Sequence, residues 1–293
     1  MKYRSKTRLT GEEKLACEQL VSRCHEYDGT FHQPYLDNLY NFDQKMPSFI
    51  LAEEEQILGF LSIYADEPGE AQLEVVVHPN YRRQGIATRL LQEFQKIADQ
   101  YELTNLSFVT ERVFLEQHSG FLSHFQLTAT DGCELWLALP HQQLALEERE
   151  DLLVSVASME HLESIAQFQA KAFGHDLEYS RHYARESIQN QDTQLYILQK
   201  GNQVLASVTV DVSQGSNHFY GLAVDVDHQG QGLATYLLKS VTNLLAQVNE
   251  NHFQIVVEKD NLPALNLYQK LGFEVKTEVV YCVNENSIAT VTS

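Results

Sequence analysis

Two stretches of this chain carry the same short phrase, 147 residues apart, and their residue types suit the capture of a phosphate. The first reads Arg82-Arg83-Gln84-Gly85-Ile86-Ala87-Thr88, the second Gln229-Gly230-Gln231-Gly232-Leu233-Ala234-Thr235. Each follows a β-rich run, Leu73–His78 or Phe219–Val224, and each opens a long amphipathic pattern. The spacing therefore predicts a strand, a glycine-bearing turn and a helix N-terminus, twice. A helix start offers unpaired backbone N–H groups and a partial positive charge. Glycine at that point lets an anion reach the backbone with no side chain in the way. Ala87 and Ala234 keep the next turn slim, Arg82 and Arg83 add charge to the first copy, and Gly230 adds room in the second.

Two other phosphate devices fit less well. A dinucleotide turn built on Gly230-Gln231-Gly232 lacks its third glycine, because Thr235 stands there, and lacks an acidic residue about 20 positions further on. Neither copy has the Gly-Lys-Ser/Thr of a Walker loop. Glycines that merely shape a turn are the plain alternative, and it weakens when the same context occurs twice.

The elements that must position these turns repeat in the same order. In the first half the pattern gives a helix over 11–25, a short helix over Tyr35–Phe42, and strands Ser48–Ala52, Ile57–Tyr64 and Leu73–Val77. A helix over Ile86–Tyr101, a strand Leu106–Thr110, a helix Arg112–Phe125 and a closing strand Glu134–Leu139 follow. Pro140 and the polar run to Asp151 mark a linker. The second half then gives a strand, two helices, a hairpin turning at Gly201-Asn202, the strand Phe219–Val224, a helix from Leu233, and Phe253–Val257. A helix Leu262–Leu271 and a final strand Val275–Val283 complete it. This is an α/β chain with mixed α+β sheets and two tandem domains, 1–140 and 152–293, joined by the linker 141–151.

Composition narrows the function. The net charge of −19 is shared by both halves, with no basic footprint of the kind nucleic acid requires. Such acidity favours a cationic small molecule, or serves solubility alone. No run of about 18 apolar residues occurs, so a membrane span is not expected and the chain reads as cytoplasmic. The four cysteines show no metal spacing, and no disulfide framework or metal site is expected.

Arg82-x-x-Gly85-x-Ala87 and Gln229-x-x-Gly232-x-Ala234 resemble the coenzyme A pyrophosphate loop of the GCN5-related N-acetyltransferase (GNAT) family. The order of elements resembles that family in both halves. The resemblance implies two acyl-CoA N-acyltransferase-like domains, acetyl-CoA as co-substrate, and a small-molecule amine as acceptor. It implies that the pantetheine arm runs beside the strand before each loop, where Val75, Val77, Leu222 and Val224 offer backbone hydrogen bonds. Asn261 to Phe273 resembles the family's downstream helix, which assigns Asn261 to the cofactor and the Tyr268 hydroxyl to protonation of the departing thiolate. A core aromatic at helical spacing with Leu265 and Leu271 is the other reading of Tyr268.

The first half departs from this pattern: Leu122 stands in for the tyrosine, and leucine donates no proton. For a base, the resemblance points to Glu74 in the first half. In the second half Gly221 occupies the equivalent position and His218, which titrates near neutrality, is its neighbour. The expectation is a tandem acetyltransferase whose second half does the chemistry through Tyr268. Catalysis by the first half with Glu74, or a non-catalytic acyl-CoA sensor, are the alternatives. Tandem copies also allow a monomer with an internal pseudo-dimer.

Overall fold

The computed structural model describes residues 1–212 and 215–284. It forms two compact units: Met1–Glu134 with Thr277–Asn284, and Leu135–Lys276. The first unit contains β1 (Lys2–Lys6), α1 (Gly11–Asp28), β2 (Phe49–Glu53), β3 (Ile57–Tyr64) and β4 (Glu70–Val77). It continues through α2 (Ile86–Tyr101), β5 (Asn105–Glu111), α3 (Arg112–Gln117), α4 (Phe121–Phe125) and the start of β6 (Leu127–Leu139). Its sheet runs β1-β2-β3-β4-β5-β12, where β12 (Glu274–Asn284) is the last strand among the described residues. Only the β4–β5 pair is parallel among the pairs with a defined register.

Strand periodicity explains how this sheet is covered. Ile50 and Ala52 point to the face packed by Leu90, Phe94 and Ile97 of α2. Phe49 and Leu51 point to the opposite face, against Cys17, Leu20 and Cys24 of α1. Both faces of the central strands are therefore apolar. α1 starts at a capping box, with Thr10 accepting from the Glu13 N–H and Glu13 accepting from the Thr10 N–H, and it ends at Gly29 in the left-handed region.

The second unit holds the remainder of β6, then β7 (Leu153–Val156), α5 (Leu162–Phe173), α6 (Leu177–Gln189), β8 (Thr193–Lys200) and β9 (Gln203–Asp211). β10 (Asn217–Val224), α7 (Leu233–Leu245), β11 (Phe253–Glu258) and α8 (Leu262–Lys270) follow. Its sheet runs β7-β8-β9-β10-β11-β6. Leu233, Leu237 and Val241 of α7 cover one face, and Ile165 and Phe168 of α5 cover the other.

Several expectations need correction. The compact units do not coincide with 1–140 and 152–293: the sixth strand of the first unit comes from the end of the chain. The cause is backbone pairing, because β12 lies antiparallel on β5 from Val279↔Glu111 to Val283↔Ser107. The stretch Tyr35–Phe42 is not helical. Its buried Asn41 donates to Ser48 Oγ and the Ile63 carbonyl and accepts from the Ala65 N–H, so the side chain bonds loop backbone that a helix would leave unpaired. The helix expected over Arg112–Phe125 breaks into α3 and α4 around Gly120. β6 starts at Leu127, ahead of Glu134, and β1 was not anticipated. The linker lies along α7, where Asn243 exchanges two hydrogen bonds with the Leu144 backbone and Lys239 donates to the Ala145 carbonyl. No described helix is long and apolar enough to cross a membrane, and no described group of side chains could hold a metal ion.

Gly59 is the tightest glycine of the first unit. A Cβ there would lie 2.9 Å from the Val76 carbonyl oxygen and 3.1 Å from the Ile86 methyl. Gly59→Val is expected to destabilise the protein by about 1–3 kcal/mol, as overpacked cores do. A thermal melt indistinguishable from wild type would contradict this packing.

Candidate active site

Each glycine turn follows a strand that parts from its parallel neighbour. β4 pairs with β3 from Tyr64↔Gln72 out to Gly59↔Val77, but with β5 only from Glu70↔Asn105 to Leu73↔Phe108. From Glu74 to Val77 the β5-facing edge has no ladder partner. β10 behaves alike, pairing with β11 only from Asn217↔Phe253 to Phe219↔Ile255. Glycine N-caps lie just beyond, Gly85 at φ 82° and Gly232 at φ 75°. Neither helix has a side-chain cap, whereas α1, α6 and α8 are capped by Thr10, Asp176 and Asn261. A Cβ at Gly85 or Gly232 would meet nothing within 4 Å. Open space, glycine and uncapped N–H groups fit a pyrophosphate.

The residue two places before each cap also takes a left-handed conformation: Arg83 at φ 62° and Gly230 at φ 73°. Gly230 thus meets a backbone requirement of the turn, and the first copy meets the same requirement with an arginine at some conformational cost. Arg83 is exposed and borders the cavity. Arg82 does a different job from the one its position in the loop suggests. Its guanidinium grips the buried Asp28 carboxylate at 2.7 and 2.5 Å, and its Nε donates to the Val77 carbonyl at 3.1 Å. Burial alone would lower its pKa, but Asp28 outweighs that and holds it raised. Gln229 repeats the second contact, donating to the Val224 carbonyl at 3.3 Å. Both side chains fasten the turn to the strand before it.

In the first unit, Val75, Val77, Arg83, Gly85, Ala87 and Thr88 line one cavity of about 1160 Å³, with Arg82 and the base of Ile86 at its wall. Gln84 stays outside it and donates weakly to the Asn80 carbonyl at 3.4 Å. Glu74 borders the same cavity, and its carboxylate meets His32 Nε2 at 3.1 Å. His32 was not singled out from sequence, because nothing local marks a histidine 42 residues from its partner. Glu111 fixes the loop that carries it, accepting from the N–H groups of Phe31 and His32. No tyrosine replaces Leu122, which packs with Phe121 and Phe125 beside Cys282.

In the second unit, Gln229, Gly230, Gln231, Gly232 and Thr235 form the turn, while Leu233 is buried and anchors α7. β10 carries a bulge that β4 lacks, between Tyr220 and Ala223, with Gly221 at φ 61°. Leu222 lies in this bulge, and such irregularities re-aim backbone groups beside functional sites. Leu222 and Val224 border the packed cluster that contains Tyr268. Tyr268 is buried, its ring 6.3 Å from that of Phe273, and burial pushes its phenol up to about 12. The Asn261 side chain accepts from the Ala264 N–H and caps α8, a local structural task. His218 stacks obliquely on Trp136, with 5.1 Å between ring centres, and lies near Tyr220.

Comparison with known proteins covers both units. Residues 15–118 match the model described as the acetyltransferase (GNAT) family, and 154–287 match the acetyltransferase (GNAT) domain. A mycothiol acetyltransferase of Saccharomonospora viridis is 26% identical over 253 residues, spanning 77% of this chain and 79% of that protein. One from Renibacterium salmoninarum is 25% identical over 230 residues, 71% of this chain and 65% of the relative. Among solved structures, a GCN5-related N-acetyltransferase from Sphaerobacter thermophilus aligns at a TM-score of 0.68 with 15% identity, covering 96% of this chain and 94% of its own. A tandem GNAT protein from the clavulanic acid biosynthesis pathway aligns at 0.67 with 14% identity, covering 96% and 98%. At these identities the two structures speak for the fold.

Proposed function

The chain belongs to the GNAT acetyltransferase family, and from that premise we propose that it transfers an acetyl group from acetyl-CoA to a primary amine, with the chemistry in the second unit. The observation that carries this reading is the pair of uncapped, glycine-capped helix N-termini at the mouths of parted strands. When bound, acetyl-CoA supplies an acetyl group activated as a thioester.

The chain's own groups do the rest. The first-turn N–H groups after Gly232, with Ala234 and Thr235 beside them, hold the pyrophosphate. The free edge of β10 at Leu222 and Val224 aligns the pantetheine arm. The bulge at Gly221 aims a backbone N–H at the thioester carbonyl oxygen, where negative charge develops. His218 accepts the ammonium proton of the acceptor. Tyr268 donates its proton to the departing sulfur, and its raised pKa keeps the phenol protonated at neutral pH. The first unit holds coenzyme at Gly85 and along Val75 and Val77 but has neither the bulge nor the phenol. Catalysis there with Glu74 as base is the second reading, favoured by the open cavity beside that carboxylate. The names of the relatives put a mycothiol-related amine first among acceptors to try.

Titration calorimetry with acetyl-CoA tests the coenzyme part. Two binding events are expected, one removed by Gly232→Val and the other by Gly85→Val. Heats that show no acetyl-CoA binding to the wild-type chain would overturn the reading. Gly221→Ala is expected to cost about 1–2 kcal/mol in stability, because alanine is strained at φ 61°, and to slow turnover. Unchanged turnover would remove the bulge from the mechanism.

A further inference from the structure

The first-unit cavity has two walls of opposite character, and the reaction proposed above leaves the apolar one unused. Strand alternation separates them. Glu74 shares a face of β4 with Val76, which packs on the α1 side. Leu73, Val75 and Val77 point the other way, to the face that α2 covers. Register extends this second face sideways. Leu73 lies opposite Phe108 of β5, and Phe108 lies opposite Cys282 of β12, so three apolar side chains stand abreast where β4 and β5 stop pairing. Leu127 of β6, the next strand, packs with Cys282, and so do Phe121 and Phe125 of α4, whose rings lie 5.1 Å apart. All these side chains border the cavity of about 1160 Å³ that opens at the Gly85 turn. The polar residues that α4 and its approach add, Ser119, Ser123 and His124, are exposed and mark the rim.

The path of the coenzyme sets what reaches this wall. With the pyrophosphate at Gly85 and the pantetheine arm along Val77 and then Val75, the thioester comes to the fork at Leu73 and Phe108. An acetyl group ends there. The apolar wall does not: two strand spacings of about 4.8 Å each carry it from Leu73 to Cys282. An acyl chain laid across those strands would withdraw the exposed apolar surface from water, which is favourable in proportion to its area. The second unit closes the same place. Phe219 and Ile255, the last paired residues of β10 and β11, are buried in one packed cluster with Tyr268 and Phe273. In the first unit α3 and α4 are separated around Gly120, and Leu122 stands in place of the phenol.

We infer that the first unit is a binding site for a medium-chain acyl-CoA, whose acyl chain lies across Leu73, Phe108 and Cys282 beneath α4. Phe121 and Phe125 are specificity-determining residues, because they touch the chain beyond the carbons that an acetyl group has. The site deepens the proposed function by naming a ligand class for the first unit, and it rests on the Gly85 end being the coenzyme end. It requires no covalent step.

Calorimetry on the full chain with acetyl-CoA and octanoyl-CoA tests the site. In the binding event that Gly85→Val removes, octanoyl-CoA is expected to bind about thirtyfold or more tightly than acetyl-CoA, the gain that two or three buried methylenes supply. The event that Gly232→Val removes is expected to show no such gain. Phe121→Gln is expected to cut the gain by about fivefold or more while acetyl-CoA binding stays near wild type, a split that a merely structural ring would not produce. Circular dichroism identifies a misfolded variant. If Phe121→Gln misfolds, Cys282→Met, which narrows the trough with an apolar group, takes its place with the same expectation, and the chain-length comparison in the wild-type chain needs neither variant. Equal affinity for the two thioesters, or a chain-length gain that survives Gly85→Val, would overturn the inference and leave the coenzyme reading standing. Binding of neither thioester would overturn both.

Discussion

Tyr268→Phe is expected to lower the rate of acetyl transfer by about 10²- to 10⁴-fold while leaving acetyl-CoA affinity near that of wild type. The substitution removes one oxygen from a ring that is otherwise held by packing. Leu265, Leu271 and Phe273 belong to the same cluster and touch the part of the side chain that phenylalanine keeps. The fold therefore survives, and what disappears is the proton that the leaving sulfur needs. An aromatic that served only the core would give the opposite pattern: a small change in stability and no change in rate. Steady-state kinetics with the coenzyme varied separates the two, because loss of the acid lowers kcat at nearly constant KM. Turnover equal to wild type would move the chemistry to the first unit and its Glu74.

The second large effect concerns the fragment that the sequence marks as a domain. Residues 1–140 are expected not to fold stably alone, although they include every element of the first half. β12 supplies the strand that covers β5, and its Val279, Val280 and Cys282 are fully buried. Fully burying an apolar side chain contributes about 1.5–3 kcal/mol, so losing this strand removes an amount comparable to the net stability of a typical domain. It also leaves β5 as an open edge, which invites aggregation. Adding a peptide spanning 277–284 to the fragment is expected to restore a cooperative melt. A fragment 1–140 that melts cooperatively without the peptide would show that β6 can take the place of β12, and would contradict the assignment of β12 as an indispensable strand of the first unit.

The fragment result bears on how far sequence reasoning reached. The turns at Gly85 and Gly232, their preceding strands and the helices after them were legible because glycine placement and apolar periodicity are local signals. The mixed sheets and the doubled family fold followed from the repeat. The partner of each closing strand was not legible, since β6 and β12 carry similar alternating patterns and either could cover β5. The roles of individual loop residues were only partly readable. Arg82 has the charge to bind phosphate, but it is turned to Asp28, a residue 54 positions away. Gly230 looked like added room, while its positive φ, matched by Arg83, shows a shared backbone requirement. Asn261 stands in the expected motif and serves as a helix cap. His32 was invisible: it lies in irregular chain where the pattern suggested a helix nearby, and its meaning comes only from Glu74, which it meets across the fold.

The proposed function stands or falls on transfer of an acetyl group from acetyl-CoA to an amine. The most direct measurement incubates the full chain with acetyl-CoA and a panel of primary amines, including a mycothiol-related amine, follows release of the CoA thiol, and identifies the acetylated product by mass. Thiol release above the hydrolysis background is expected with at least one amine, in step with a product heavier by one acetyl group. Acetyl-CoA that binds but yields no acetylated amine across neutral and cationic members of the panel would contradict it, and would leave the two turns as coenzyme sensors.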